Sequence, residues 1–381
     1  MKYQLYLLTT DITLDGGVER VVCNMANSLK THGFDIHIIS IFKSKDKIKY
    51  ELKNNIKIKY LYPQNSFNQW FSNIRFHNIQ LYWRLKLSLK FTNQLYRYIN
   101  STLNKENKGI ILCNSYLITP FYKPKNISII GLDHSCYPFG NLRQGLKHWL
   151  HTFMVRQFDI ITTLNNDEVY KWKTIGRPVI VMPNYIPKEM TNNNVNFPNF
   201  IDREKVILSL GRMNTEQKGF DRLIEAYSLI ASKYPDWKLK IFGSGSFQGK
   251  YKQMITQKGL EKYISIYDYT ENPIKEYQQS SIYAMCSREE GFGMVLLEAG
   301  INGLPLVAYD VKFGPRAIIK DKKTGFVIPD NNTKAFSEAL EKLMTNSIKR
   351  EQMSKEVSED IKNRFSENII IEKWIKLINS L

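Results

Sequence analysis

The chain has 381 residues, of which 43% are hydrophobic and 13% aromatic. This is enough for about two to three domains, and the composition excludes a disordered chain. The 54 Lys and Arg residues exceed the 36 Asp and Glu residues, so the net charge is +18. Such a charge favours an anionic partner, which would be nucleic acid, an anionic membrane surface or a phosphorylated substrate.

The first half of the chain begins with a β-α-β pattern. The pattern predicts a strand over Tyr3–Thr9, a glycine turn at Gly16-Gly17, a helix over Val18–His32 and a strand over Asp35–Phe42. Apolar runs predict four further strands, at Ile110–Asn114, Ile127–Gly131, Asp159–Thr163 and Val179–Met182. Strands that alternate with helices predict a parallel sheet.

A polar, asparagine-rich stretch over Lys188–Asn199 separates two domains. It predicts a linker over 188–200, between a first domain at 1–187 and a second at 201–362. Strands of the second domain are predicted at Val206–Leu210, Lys238–Phe242, Ile264–Tyr267, Ile282–Cys286 and Leu306–Tyr309. Its helices are predicted at Phe220–Lys233, Lys250–Lys258, Met294–Ile301 and Ala335–Met344. This regular alternation predicts a second doubly wound α/β domain.

The end of the chain, residues 363–381, carries one apolar stripe with Ser366 as a candidate helix cap. We expect it to form a helix that packs back onto the first domain.

The chain has four widely spaced cysteines, which favours a reducing cytoplasm over a disulfide framework or a metal site. The N-terminus does not resemble a signal peptide, and no apolar run approaches the roughly 18 residues of a membrane span. We therefore expect a cytoplasmic protein.

The most informative stretch is Glu290–Glu298, with the sequence EGFGMVLLE, which leaves a strand and enters a helix. A glycine turn at a helix N-terminus presents backbone N–H groups that suit a phosphate or diphosphate. At about 1.5 Å per residue, Glu290 and Glu298 lie roughly 10 Å apart. That spacing suits two carboxylates that bind hydroxyl groups on either side of a diphosphate. The alternative is an ordinary turn followed by a solvated helix carboxylate.

Two cations, Arg212 and Lys218, follow the strand Val206–Leu210. Loops at the carboxyl edge of a parallel sheet are where open α/β sheets bind ligands, and both cations would neutralise a diphosphate. Solvated loop cations are the alternative. The turn Gly243-Ser244-Gly245 fits the dinucleotide-binding fingerprint only weakly, because the next glycine is Gly249. We therefore interpret this motif as a glycine turn close to a bound nucleotide rather than as a dinucleotide-binding fingerprint.

Five motifs follow one another along the chain: GGVERVV at 16–22, GRMNTEQKGFDRLIEAYSLI at 211–230, GSGS at 243–246, EGFGMVLLEAGINGLPLVAYD at 290–310 and TGFVIPDNN at 324–332. In this order they resemble the motifs of the retaining GT-B glycosyltransferases of family 4, which include bacterial capsule, exopolysaccharide and lipopolysaccharide sugar transferases. The resemblance covers most of the second domain and about the first 25 residues. It implies two Rossmann-like domains that face each other across a cleft.

The resemblance also implies residue roles. Glu290 would contact the donor sugar, with a covalent nucleophile as the alternative role, and Glu298 would bind the ribose. Arg212 and Lys218 would hold the diphosphate, helped by backbone N–H groups. The remaining donor-site residues implied are Gly291, Phe292, Gly293, Met294 and Val295, with Gly17 approaching from the first domain. His134 would lie near the donor sugar, with a structural histidine as the alternative. Ala317 and Arg288-Glu289 depart from the family pattern, so the sequence leaves the donor sugar open.

The implied reaction moves a hexose or N-acetylhexosamine from a nucleotide-diphosphate sugar, a UDP-sugar being favoured, to a lipid-linked or polysaccharide acceptor. It would retain configuration and need no metal and no cofactor. The absence of an Asp-x-Asp motif agrees with metal-independent chemistry. Two other functions stay open, a nucleotide-sugar epimerase and a nucleic-acid-binding protein. The sequence shows none of the features that a nucleic-acid-binding protein would need, namely a recognition helix, RNP aromatics or a zinc module.

The excess positive charge lies in the first half, where residues 1–180 contain 25 Lys and Arg against 11 Asp and Glu. Segments 71–105 and 134–158 are basic and aromatic and contain no acidic residue. Such segments suit the headgroup layer of an anionic membrane, which predicts a peripheral position on the inner face of the cell membrane. Ordinary amphipathic helices with apolar faces in the core are the alternative.

Overall fold

The computed structural model describes residues 3–62, 77–114, 122–133, 152–153, 155–173, 175–191 and 203–381. The chain divides into two compact units. The first comprises Met1–Pro183 with Ile371–Leu381, and the second comprises Asn184–Ile370. Each unit is built on one parallel sheet, as the β-α alternation predicts.

The first unit contains a seven-stranded sheet in the order β3-β2-β1-β4-β5-β6-β7. Its strands are β1 Tyr3–Thr9, β2 Asp35–Phe42, β3 Lys57–Tyr62, β4 Lys108–Cys113, β5 Ile127–Leu132, β6 Ile160–Thr163 and β7 Val179–Val181. Its described helices are α1 Gly17–Thr31, α2 His77–Thr102 and α3 Asn166–Lys173. The strand order reverses between β1 and β4, which makes the sheet doubly wound.

The second unit contains a six-stranded sheet in the order β10-β9-β8-β11-β12-β13. Its strands are β8 Val206–Leu210, β9 Lys238–Phe242, β10 Ile264–Tyr267, β11 Ile282–Met285, β12 Leu306–Asp310 and β13 Gly325–Pro329. Its helices are α4 Lys188–Thr191, α5 Phe220–Ser228, α6 Gln248–Gln257, α7 Pro273–Gln279, α8 Met294–Ile301, α9 Pro315–Ile318, α10 Thr333–Thr345 and α11 Ser347–Phe365. The last helix, α12 Glu367–Asn379, begins in this unit. Here the strand order reverses between β8 and β11.

Apolar periodicity explains these elements. In β1, every residue from Gln4 to Thr9 is buried, as expected for a central parallel strand that is covered on both faces. Helix α1 buries one stripe, which includes Val21, Val22 and Met25. The second unit has its own large core, which includes Phe220, Tyr251 and Phe336. Each sheet is therefore a rigid platform for the loops at its carboxyl edge.

The end of the C-terminal segment groups with the first unit. Residues from Ile371 onward belong to that unit, where Ile371, Trp374 and Ile378 are buried. The side chain of Lys108, at the start of β4, donates to the backbone oxygen of Leu381. The apolar stripe read from the sequence is thus the buried face of α12.

Several sequence-based assignments need correction, and strand β13 was not predicted. The helix predicted over Phe220–Lys233 ends at Ser228 and is followed by a 3-10 turn at Ala231–Lys233. The break turns Leu229 outward and Ile230 inward, and an apolar run hides such a change of direction. The start of the predicted linker forms α4, while residues 192–200 lie outside the described residues. Strand β3 was not predicted, because its residues KIKYLY alternate lysine with apolar residues and lie at the edge of the sheet. Residues 363–365 belong to α11 rather than to the terminal helix.

The side chains of Cys23, Cys113 and Cys286 are buried. Among the helices that the structure describes, none combines the length and apolar character needed to cross a membrane.

Candidate active site

Two loops meet at the point where the strand order of the second sheet reverses. The first loop, residues 211–219, follows β8, and the second, residues 286–293, follows β11. Strands β8 and β11 are neighbours, with Ile282 opposite Ile207 and Tyr283 opposite Leu208. Open α/β sheets bind ligands at this position, outside the carboxyl ends of the strands. The topology therefore brings together the two segments that the sequence singled out separately.

Gly219 allows the two loops to approach closely. Its φ of +64° lies in the left-handed region, and a Cβ placed on it would lie 1.9 Å from the backbone oxygen of Cys286. Only glycine fits this position without moving the backbone. Because Gly219 immediately precedes α5, the close approach fixes the start of that helix, and with it Lys218, against the end of β11.

Arg288 joins the same two loops by several hydrogen bonds. Its guanidinium group donates to the two carboxylate oxygens of Asp221 over 2.9 and 2.6 Å, and to the backbone oxygen of Glu216 over 2.7 Å. Its backbone N–H donates to the backbone oxygen of Gln217 over 2.7 Å. Burial raises the pKa of Asp221, but the hydrogen bonds and charge of Arg288 outweigh it and hold that pKa below the ordinary value. In the sequence, Arg288 stands out only as a departure from the family pattern, whereas in the structure it connects the turn that carries Lys218 to the loop after β11.

An ion pair lies at the centre of this junction. Lys218 Nζ and Glu290 Oε1 are 2.6 Å apart, and their side chains are only 22% and 8% exposed. Ser287 Oγ donates to the same carboxylate oxygen over 2.6 Å. Gly314 packs against this region, since a Cβ there would lie 2.7 Å from the backbone oxygen of Phe292 and 3.2 Å from Cβ of Glu290. Two of the predicted site residues are therefore in direct contact, in a largely dry position.

The predicted glycine turn leads into α8 as expected. Gly293, with φ of +90°, is the N-cap residue, and no side chain caps the helix. Met294 and Val295 in the first turn and Gly291 before it are half-buried, while Phe292 is buried with its ring edge-on to Phe365 at 5.8 Å. An eight-residue helix whose first N–H groups have no side-chain cap is suited to an anion.

Glu298 lies within α8 and is 4% exposed, so the solvated-carboxylate alternative is wrong for it. Its Oε2 accepts a hydrogen bond of 3.0 Å from the hydroxyl of Tyr277, on α7. Tyr277, Ser287 and Gly314 were all missed by sequence reasoning. Their contacts join positions far apart in the chain, and no local pattern marks them.

For the other predicted donor-site residues, the structure shows no hydrogen bond or ion pair with the Lys218–Glu290 pair among the residues it describes. Arg212 is exposed and forms no ion pair within the described part of the chain. Gly17, in the first turn of α1, is exposed and belongs to the first unit; a Cβ there would meet nothing within 4 Å. His134 lies outside the described residues. Asp133 before it is buried and accepts a hydrogen bond of 2.8 Å from the indole N–H of Trp172.

A buried carboxylate fixes the loop ahead of Gly16-Gly17. Asp11 is 0% exposed, and its Oδ1 accepts from the backbone N–H and the hydroxyl of Thr13 over 2.9 and 2.6 Å. Its Oδ2 accepts from the backbone N–H of Ser44 over 2.9 Å. The glycine turn therefore follows a loop that is tied to the end of β2, which the sequence analysis did not predict.

The basic segments are described only in part. In α2, Phe91, Leu95 and Ile99 are buried in the core of the first unit, while Lys90 and Arg97 are exposed. Of segment 134–158, residues 134–151 and 154 lie outside the described residues, and Val155 and Phe158 are buried. The described part of α2 is thus an amphipathic helix with its apolar face in the core and cations outside.

Comparison with known proteins agrees with this arrangement. The family "Glycosyl transferases group 1" matches residues 190–360. An uncharacterized glycosyltransferase of Haemophilus influenzae is 30% identical, over 94% of this chain and 95% of its own length. The amylovoran biosynthesis glycosyltransferase AmsD of Erwinia amylovora is 25% identical, over 99% of this chain and 100% of its own.

Solved structures share the fold. The crystal structure of TarM, a Staphylococcus aureus protein, has a TM-score of 0.77 at 18% identity, and the match covers 100% of this chain and 99% of that one. The galactosyltransferase WaaB of the lipopolysaccharide outer core has a TM-score of 0.72 at 19% identity, and the match covers 99% of each chain. The two-sheet GT-B architecture expected from the motifs is therefore confirmed. Given the Haemophilus influenzae relative, the chain belongs to the glycosyltransferases, and its residues 190–360 match the group 1 family.

Proposed function

We propose that this protein is a retaining, metal-independent glycosyltransferase of family 4 that uses a UDP-sugar to build a bacterial cell-surface glycan. The transferred group is a hexose or N-acetylhexosamine. The observation that carries the proposal is the Lys218–Glu290 pair, beside the glycine turn at the carboxyl edge of the second sheet. The pair supports the proposal because a cation suited to a diphosphate and a carboxylate suited to sugar hydroxyls are in direct contact there.

In the proposed complex, the donor diphosphate lies between Lys218 and the N-terminus of α8. Lys218 and Arg212 neutralise the diphosphate and stabilise the charge that develops on it as the sugar leaves. The backbone N–H groups over Gly293–Val295 add the positive end of the helix dipole. These groups supply what a divalent metal ion supplies in other transferases, which supports metal-independent chemistry.

The two glutamates act on the hydroxyl groups at either end of the diphosphate. Glu290 orients the donor sugar near its anomeric carbon, and Glu298 binds the ribose. Retention requires the acceptor hydroxyl to attack from the face that the diphosphate leaves, and the donor phosphate is well placed to accept the acceptor proton. Glu290 already accepts hydrogen bonds from Lys218 and Ser287, which favours a positioning role over a covalent one.

The first unit supplies the acceptor side in this proposal. The role proposed for Gly17 is to contact the donor phosphate or the acceptor, and the role proposed for His134 is to contact the donor sugar. The open space at Gly17 and the fixed loop ahead of it support this role. A lipid-linked or polysaccharide acceptor fits the excess of basic residues in this half of the chain.

The relatives support the choice of transfer and of UDP. AmsD is named for amylovoran biosynthesis, and TarM has been crystallised in complex with UDP and alpha-GlcNAc-glycerol. Membership of a glycosyltransferase family favours transfer over epimerisation. No observation on the described residues favours nucleic acid as the anionic partner.

Slow donor hydrolysis tests the proposal without knowledge of the acceptor. Purified protein with UDP-glucose, UDP-galactose, UDP-N-acetylglucosamine or GDP-mannose, each with and without EDTA, should release sugar from one UDP donor at equal rates in both conditions. Proton NMR before mutarotation should show the α anomer first, because these α-linked UDP donors would be hydrolysed with retention. An initial β anomer would contradict retention, and loss of activity in EDTA would contradict metal independence.

We also propose that the first unit binds the anionic inner face of the cell membrane, through segments 71–105 and 134–158. The exposed cations Lys90 and Arg97 on α2 support this, because the opposite face of that helix is anchored in the core. Each basic side chain near an anionic bilayer contributes about 1 kcal/mol to binding.

Reversing these two charges should release the protein from membranes. The double variant Lys90→Glu with Arg97→Glu should bind phosphatidylglycerol vesicles at least about 10-fold more weakly in co-sedimentation, while UDP affinity stays unchanged. The matched control is Lys334→Glu with Lys355→Glu, two lysines of the second unit that are 85% and 76% exposed. Equal vesicle binding by the two double variants would show that α2 has only a structural role.

A further inference from the structure

A buried tyrosine hydroxyl holds the carboxylate of Glu298. Tyr277 lies on α7 and is 0% exposed, and its hydroxyl donates to Glu298 Oε2 over 3.0 Å. Glu298 lies in the middle of α8 and is 4% exposed. Burying a carboxylate is costly unless hydrogen-bond donors contact it, and a hydrogen bond to a charged acceptor is among the stronger ones in proteins.

The ring of Tyr277 is itself fixed in place. Its centroid lies 5.9 Å from that of Tyr283, with the two planes at 59°. The hydroxyl of Tyr283 accepts from the backbone N–H of Leu210 over 3.3 Å, just ahead of the loop that carries Arg212 and Lys218. Burial raises the pKa of Tyr283, and the charges of Glu298 and Glu290 raise it further. The ring of Tyr277 is therefore held by packing against Tyr283, while its hydroxyl contacts Glu298.

We propose that Tyr277 is a positioning residue, which orients the carboxylate of Glu298 toward the ribose hydroxyls of the donor nucleotide. The inference rests on the ribose-binding role proposed for Glu298. A glutamate side chain has three rotatable bonds, and a tyrosine fixed by packing can hold its carboxylate in one orientation. Tyr277 does not touch the nucleotide in this proposal and acts only through Glu298.

The effect of Tyr277 is then confined to nucleotides that carry ribose hydroxyls. Tyr277→Phe keeps the buried ring and removes only the hydroxyl. It should lower the affinity for UDP about 10-fold, which is the loss expected when one charge-assisted hydrogen bond is removed. It should leave the affinity for 2′,3′-dideoxy-UDP within twofold, because that ligand has no hydroxyl group for Glu298 to bind.

Isothermal titration calorimetry with both nucleotides tests this on the full chain. The matched control is Tyr227→Phe, which removes a buried hydroxyl that donates to the backbone oxygen of Trp237 over 2.8 Å, in the core of the same unit. The control should lower the melting temperature and leave the ratio of the two affinities unchanged. Equal weakening of both nucleotides by Tyr277→Phe, or weakening of neither, would overturn the proposal.

Glu298→Gln separates this inference from the function on which it rests. Suppose that Glu298→Gln reduces the difference in affinity between UDP and dideoxy-UDP while Tyr277→Phe does not. The ribose-binding role of Glu298 then stands, and the positioning role of Tyr277 is wrong. If the affinity ratio of Glu298→Gln equals that of the unchanged protein, the ribose role itself fails. The double variant should bind UDP no more weakly than Glu298→Gln alone, because Tyr277 has no route to the ribose except Glu298.

Discussion

A Glu290→Gln variant should lose about 100-fold or more in transfer rate while its affinity for UDP stays within about threefold. Glutamine has nearly the same shape and keeps one acceptor oxygen, so the fold of the turn is preserved. It lacks the negative charge that in this protein meets Lys218 at 2.6 Å and the sugar hydroxyls in the proposed complex. Losing a preorganised electrostatic contact of this kind typically costs about 10²–10³ in rate. Nucleotide affinity is spared, because the diphosphate is bound by the cations and by the N-terminus of α8.

The neighbouring carboxylate provides the control for this prediction. Glu289 is exposed, and its backbone oxygen accepts a hydrogen bond of 3.2 Å from the side-chain amide of Gln217. Glu289→Gln should therefore transfer sugar at the normal rate. The measurement is steady-state transfer or donor hydrolysis alongside UDP titration. A fully active Glu290→Gln would remove the residue from the mechanism, and an equal loss of rate and UDP affinity would place it at the nucleotide instead.

The same position distinguishes the covalent alternative. If Glu290 were a nucleophile, a Glu290→Ala variant supplied with azide would form a glycosyl azide of inverted configuration. In the proposed mechanism azide has no such route, since Glu290 forms no bond to the sugar. Mass spectrometry of the products with a UDP-sugar and azide decides between the two roles.

Sequence reasoning succeeded where the signal is local. Strands β1, β2, β8, β9 and β10 and helix α8 were predicted with the observed bounds, because each is a short apolar run between clear turn residues. Strand β3 was not predicted because its lysines are exposed at a sheet edge, where burial imposes no regular apolar pattern. The helix break after Ser228 was not predicted because apolar residues continue through it.

The site was predicted as a set of residues but not as a set of contacts. Lys218 and Glu290 were assigned separate tasks, and nothing in their local sequence indicates that they form an ion pair. Their meeting depends on the adjacency of β8 and β11 and on the close approach at Gly219. The hydrogen bond between Tyr277 and Glu298 is a second example, because Tyr277 lies on α7, a helix that the chain forms between β10 and β11. Long-range contacts of this kind follow from topology, which a local pattern does not contain.

Lys218→Met should have the largest combined effect on activity and stability. Methionine keeps most of the aliphatic length but removes the charge that would meet the leaving diphosphate, so transfer should fall about 1,000-fold and UDP should bind about 10-fold more weakly. Glu290, whose side chain is 8% exposed, would keep its hydrogen bond from Ser287 but lose its cation. We expect the free energy of unfolding to fall by about 1–3 kcal/mol, as when one partner of a buried pair is removed.

A double-mutant cycle separates the two effects. Adding Glu290→Gln to Lys218→Met removes the negative charge that the lysine balanced, so the double variant should recover most of the lost stability in urea unfolding and none of the activity. The matched control is Lys250→Met, which breaks an ion pair with Glu216 whose side chains are 56% and 41% exposed. Exposed pairs contribute at most about 1 kcal/mol, so this control should be nearly neutral in both assays. Recovery of activity in the double variant would mean that Lys218 serves only to neutralise Glu290, because a cation needed by the diphosphate cannot be replaced by removing a carboxylate.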